Sequence, residues 1–172
     1  MNKQSYYSPH STPFGELIKK DKYQVFLFTC PARLPTPFAV HPWFVVNKKG
    51  VVSRWEIGRD LKDDPSYFGY VRFDGMPLFE GLPIISYNIP WSWGPRHIKL
   101  LGSIEGDEGS AAQKLADFIE NGVSNYPYRN TYHLRGPNSN TYIQWVIDQF
   151  PESGFKLPWN AIGKGYKRTT HV

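Results

Sequence analysis

The sequence predicts an α+β fold, a small antiparallel sheet with two main helices packed on it. Three observations carry that expectation. Runs dense in β-branched and aromatic residues are broken by 15 Gly and 15 Pro, a pattern of short strands and tight turns. Two later stretches instead repeat apolar residues at helical spacing. Aromatic residues make up 16% of the chain, with 6 Trp among them, which suits a sheet-based core better than a helical bundle. At 172 residues the chain is long enough to form one domain with a substantial core.

Residues 1–13 read as a polar lead-in with neither a basic n-region nor an apolar h-region. No stretch reaches the ~18 apolar residues of a membrane span, so a cytoplasmic protein without a transmembrane segment is expected. Tyr23–Cys30 is the first strand, ended by Pro31, Pro35 and Pro37. Phe38–Val46 is the second. Pro42 within it lacks the ladder donor, which implies an edge, a bulge or a strand start. Asn47–Gly50 turns the chain, and Val51–Gly58 returns as the third strand. A turn at Lys48 and Lys49 sets His41 directly opposite Glu56.

From Asp60 to Gly106 the chain is studded with Pro and Gly, with short strands expected around 69–73, 84–89 and 97–104. Residues 108–120 form the first helix, capped by Asp107 or Ser110. Its apolar stripe is Ala112, Leu115, Ala116, Phe118 and Ile119, and Asn121-Gly122 stops it. The second helix follows Gly136-Pro137 and carries Ile143, Val146, Ile147 and Phe150 on one face. Thr141 with Gln144 fits a capping box, and Pro151 ends the helix. Residues 153–172 read as a basic, irregular tail docked through Trp159 and Ile162.

The formal charge of +5 does not point to nucleic acid. Four of the excess positive charges (Lys156, Lys164, Lys167, Arg168) lie in that tail, and no concentrated basic face or recognition module appears elsewhere. Cys30 is the single cysteine, which excludes an internal disulfide and a cysteine-based zinc site. His97 and His133 lack metal-ligand spacing, so neither a metal nor another cofactor is expected. Nothing in the sequence sets the oligomeric state.

The candidate site centres on Asn138-Ser139-Asn140, at a helix start where free backbone amides and a partial positive charge converge. With Thr141 as cap, Ser139 is spare and available as a nucleophile, or for a turn. His41 is the candidate base and Glu56 the acid that fixes its tautomer. Backbone amides, with Asn138 or Asn140, would hold an oxyanion. Trp43, Trp91 and Trp93 are candidates to line the cleft.

Two resemblances meet at these residues. Val40–Val46, Glu56-Ile57-Gly58, Tyr126-Pro127-Tyr128, Gly136–Tyr142, Leu157-Pro158 and Ala161–Lys164 resemble the landmarks of a bacterial domain-of-unknown-function family with a Gly-Pro-Asn-Ser-Asn-Thr-aromatic signature. More loosely, the order His41, Glu56, Ser139 resembles permuted papain-like domains, including NlpC-like and lecithin:retinol acyltransferase-like enzymes. That resemblance implies an amide or ester hydrolase or acyltransferase with a small-molecule, peptide or lipid-like substrate. Serine here replaces their cysteine. A helix start and an imidazolium can hold a thiolate, whereas a serine needs general-base help during attack. A non-catalytic binding or structural domain of the same fold is the alternative.

Overall fold

The computed structural model describes residues 14–33, 36–58, 70–73, 76–82, 93, 95–129 and 131–167. Among these residues five strands, β1 (Tyr23–Pro31), β2 (Val40–Lys48), β3 (Val51–Gly58), β4 (Tyr70–Phe73) and β5 (Lys99–Gly106), form one sheet in the order β4-β3-β2-β1-β5. All neighbouring pairs are antiparallel. Two helices, α1 (Ala111–Asn121) and α2 (Ser139–Gln149), complete an α+β architecture. The strand expected around 84–89 falls outside the described residues. The one expected at 97–104 begins two residues later, after a short 3-10 turn at Pro95–His97.

Alternation along the strands divides the core in two. Val25 and Leu27 of β1, Phe44 and Val46 of β2 and Ile57 of β3 face the helices. They pack with Leu115, Ala116 and Ile119 of α1 and Ile143 and Val146 of α2. The intervening residues Phe26, Phe28, Cys30, Trp43 and Val45 form a second cluster with Phe79 and Ile98 on the opposite face. Both faces are therefore covered, and β1 and β2 read as continuous apolar runs for that reason. Ser110 caps α1 by accepting from the Gln113 amide, and Gly122 ends it.

The hairpin turn lies one residue later than the sequence suggests. Lys48 pairs with Val51, so Lys49 and Gly50 are the two central residues, both with positive φ (52° and 93°). That is the backbone of the tight hairpin turn whose twist matches the strands, and glycine adopts it without steric cost. Asn47 Oδ1 accepts the Gly50 amide at 2.8 Å and locks it. In this register His41 and Glu56 are diagonal neighbours on one face rather than directly opposed. Pro42 pairs only with Thr29 of β1, at the start of β2 and before its ladder with β3 begins at Phe44. Its missing donor therefore breaks no ladder bond there.

Residues 155–166 run along the helix side of the sheet. Phe155, Leu157 and Ala161 are buried in the first core, whereas Trp159, expected as an anchor, is 89% exposed. The tail docks by those three residues and by its carbonyls. Ile162 O accepts from both Asn138 Nδ2 and Asn140 Nδ2, and Gly163 O accepts from Thr141 Oγ1.

Candidate active site

The site lies at the end of the sheet where β1 finishes, β2 starts and the N-terminus of α2 arrives. A cavity of about 350 Å³ there is lined by His41, Glu56, Tyr132, Asn138, Ser139 and Asn140, with Arg33, Leu134 and Ile162 among its other walls.

The His41–Glu56 pair is made despite the shifted register. His41 Nε2 lies 2.8 Å from Glu56 Oε2, and both side chains are buried. A histidine side chain is long enough to close a diagonal cross-strand contact. The sequence reading missed the third member. Arg54 Nη2 donates to the same Glu56 oxygen at 2.8 Å, and its Nη1 donates to Pro77 O and Glu80 O, each at 2.6 Å. Its guanidinium also stacks over the Trp43 ring at 4.3 Å. Arg54 lies two positions before Glu56, so strand alternation alone places them on one face.

Burial by itself would raise the Glu56 carboxyl. Burial is the largest single influence, yet the charges and hydrogen bonds of Arg54 and His41 together outweigh it and hold the group well below the usual carboxylate range. Glu56 is thus a permanent acceptor. It draws the Nε2–H tautomer of His41, leaving Nδ1 as the basic nitrogen.

Ser139 is the first residue of α2, and its cap is not the one the sequence suggests. Asn138 is the N-cap: its Oδ1 accepts from the Asn140 amide at 3.0 Å and from the Thr141 amide at 3.2 Å. Thr141 Oγ1 returns the favour by accepting the Asn138 amide at 3.1 Å. The capping box is therefore Asn138 with Thr141. Gln144 bonds Asp148 instead. Ser139 is spare all the same, because its hydroxyl takes no part in the cap.

Neither asparagine can serve an oxyanion. Asn138 Nδ2 donates to Leu134 O and Ile162 O, and Asn140 Nδ2 to Val40 O and Ile162 O, which uses both N–H bonds of each amide. They fasten α2 to the sheet end and to the C-terminal segment. The donor left at the helix start is the backbone amide of Ser139. Tyr132, also missed in the sequence, stands against it. Burial raises the Tyr132 phenol, while hydrogen bonding to the Ser139 hydroxyl and amide pulls the other way. No local pattern in the sequence marks this tyrosine, because it enters the site from an irregular loop.

The tryptophans do not wall the cavity. Trp43 is fully buried in the second core with its Nε1 donating to Leu78 O. Trp93 packs against that same core and donates to Ala32 O. Trp91 lies outside the described residues. Cys30 pairs with His41 across β1 and β2, yet it is no rival to Ser139. Its thiol is buried and accepts the Leu82 amide at 3.4 Å, and burial pushes it up to about 11. Among the described residues no group of three or more His, Cys, Asp or Glu is placed to hold a metal ion.

Residues 88–166 match DUF3750, a family described as a protein of unknown function. The match takes in the Gly136–Tyr142 signature and all of α2 but begins after His41 and Glu56. No curated protein matches the sequence. Among solved structures, the crystal structure of the type VI secretion system effector TseH is similar, with a TM-score of 0.50. The alignment covers 84% of this chain and 87% of that one at 14% identity, so what is shared is the fold.

Proposed function

We propose that the cavity is a hydrolase or acyltransferase centre of permuted papain-like design, with serine as nucleophile. The observation that carries this reading is the buried His41–Glu56 pair opening on the same cavity as Ser139, at the start of a helix. In the reaction, Ser139 Oγ attacks a carbonyl carbon while its proton passes to His41 Nδ1. Glu56 holds the ring and stabilises the imidazolium, as the acid of a triad does. The oxyanion forms at the Ser139 amide, in the positive field of the α2 N-terminus. Collapse breaks the bond to the leaving group, which takes the proton from His41. A water or another nucleophile then attacks the acyl-serine, returning a proton through His41 to Ser139.

Tyr132 fits this scheme as the group that occupies the Ser139 amide until a substrate oxygen replaces it. A second reading, a non-catalytic binding domain, has one observation in its favour: the signature asparagines spend their side chains on backbone carbonyls, a structural task.

A fluorophosphonate probe separates the two. The reading expects one covalent adduct, mapped to Ser139, absent from Ser139→Ala and slowed about 100-fold or more in His41→Ala. Matching thermal midpoints for wild type and Ser139→Ala would show that the loss is chemical. No adduct, or an adduct on another residue, would leave the binding domain as the better reading.

A further inference from the structure

Large apolar side chains that the catalytic reading does not use are exposed on the segments that border the cavity. Trp159 is 89% exposed, Leu134 68% and Phe38 63%. They come from three separate segments, yet hydrogen bonds bring those segments to one place. Asn160 Nδ2 donates to Phe38 O at 2.7 Å, which ties the loop that carries Trp159 to the segment that carries Phe38. Asn138 Nδ2 donates to both Leu134 O and Ile162 O, which sets Leu134 beside the same C-terminal segment. Leu134 and Ile162 line the cavity itself. Large apolar groups gathered in this way at an opening mark an interaction surface rather than scattered exposure.

Charge identifies the partner. Between Ser153 and Val172 the sequence has four Lys or Arg and no acid. Lys164 Nζ is held on Leu157 O at 3.2 Å and Pro158 O at 2.8 Å, which fixes a cation at the base of the loop that presents Trp159. Arg135, next to Leu134, and Lys167 are exposed. Trp, Phe and Leu among Lys and Arg is the composition that inserts at the boundary between acyl chains and anionic headgroups.

We infer that this face is a docking surface for anionic lipid bilayers, with Trp159, Phe38 and Leu134 entering the interface and the exposed Arg135 and Lys167 facing the headgroups. Docking does not depend on chemistry at Ser139, so the labelling experiment and the following one succeed or fail separately. Co-sedimentation with vesicles of phosphatidylcholine alone, or of phosphatidylcholine mixed with phosphatidylglycerol, tests it. The mixed vesicles should bind at least about tenfold more tightly at low salt, and the advantage should fade as salt rises. The Phe38→Ser, Trp159→Ser double variant, altered at exposed positions, should lose about tenfold on mixed vesicles while keeping the wild-type thermal midpoint. Equal or absent binding to both vesicles, or unchanged binding by the double variant, would overturn the inference. So would a wild-type dimer in sedimentation velocity that the same double variant dissolves, since a second copy would then be the occupant.

Discussion

Glu56 is the residue on which the site's electrostatics turn. A carboxylate removed from water is costly unless paired, and here one oxygen accepts from both His41 and Arg54. The stability this gives depends on pH in a defined sense. A carboxyl held below its usual range when folded binds fewer protons than the unfolded one throughout that interval. Stability is therefore complete above the ordinary glutamate range, about 4.3, and is lost as pH falls below it toward the folded value. Thermal midpoints taken from about pH 6 down to about pH 3 should fall more steeply for wild type than for Glu56→Gln, which has no proton to gain. Parallel slopes would show that Glu56 is not held ionised. How much of this was legible in the sequence differs by residue. His41 with Glu56 was readable because one hairpin contained both, and an error of register still left them within side-chain reach. Arg54 was overlooked although alternation put it on their face. Tyr132 could not have been found, since its place depends on how a loop folds across the helix start.

Among the elements, α2 shows how distant contacts settle what local pattern leaves open. Both Asn138 and Thr141 stand where a cap could form. What decides between them is outside the helix: Ile162 O and Gly163 O accept from Asn138, Asn140 and Thr141, and that holds Asn138 as the cap. Gly163 is tied to this arrangement by space as well as by hydrogen bonding. Its φ is +91°, and an added Cβ would lie 2.5 Å from Asn138 Nδ2. Gly154 is the natural control, with φ +69° and nothing within 4 Å of an added Cβ. Gly154→Ala should cost about 1–2 kcal/mol, the penalty of a left-handed backbone alone. Gly163→Ala adds a displaced cap, itself worth about 1 kcal/mol, and should cost more than its control by at least that amount in urea unfolding. Equal losses would mean that the Asn138 amide does not depend on the loop behind it.

On the scale of the whole molecule, the candidate site is a seam rather than the property of any one element. The sheet supplies His41 and Glu56, the second helix supplies Ser139, a loop supplies Tyr132, and the C-terminal segment supplies the carbonyls that hold the helix start in place. Strand alternation and helical spacing made the sheet and helices readable, because they are periodic. The C-terminal segment has no period, so the sequence points to Trp159 and Ile162 as its anchors, whereas Phe155, Leu157 and Ala161 are the buried ones. Its contribution to the fold is large on physical grounds. Truncating a buried Phe costs about 3–5 kcal/mol and a buried Leu about 2–5, and their sum rivals the total stability of about 5–15 kcal/mol. A chain ending at Gly154 loses both, together with the acceptors for Asn138, Asn140 and Thr141. Such a chain should no longer unfold cooperatively in urea, and Ser139 should no longer react with a fluorophosphonate. The combined variant Phe155→Ala, Leu157→Ala keeps the backbone carbonyls and should lose stability without losing the adduct wherever it remains folded. If the shortened chain instead unfolds at the wild-type midpoint, the C-terminal segment is an appendage and the helix start is held by the sheet alone.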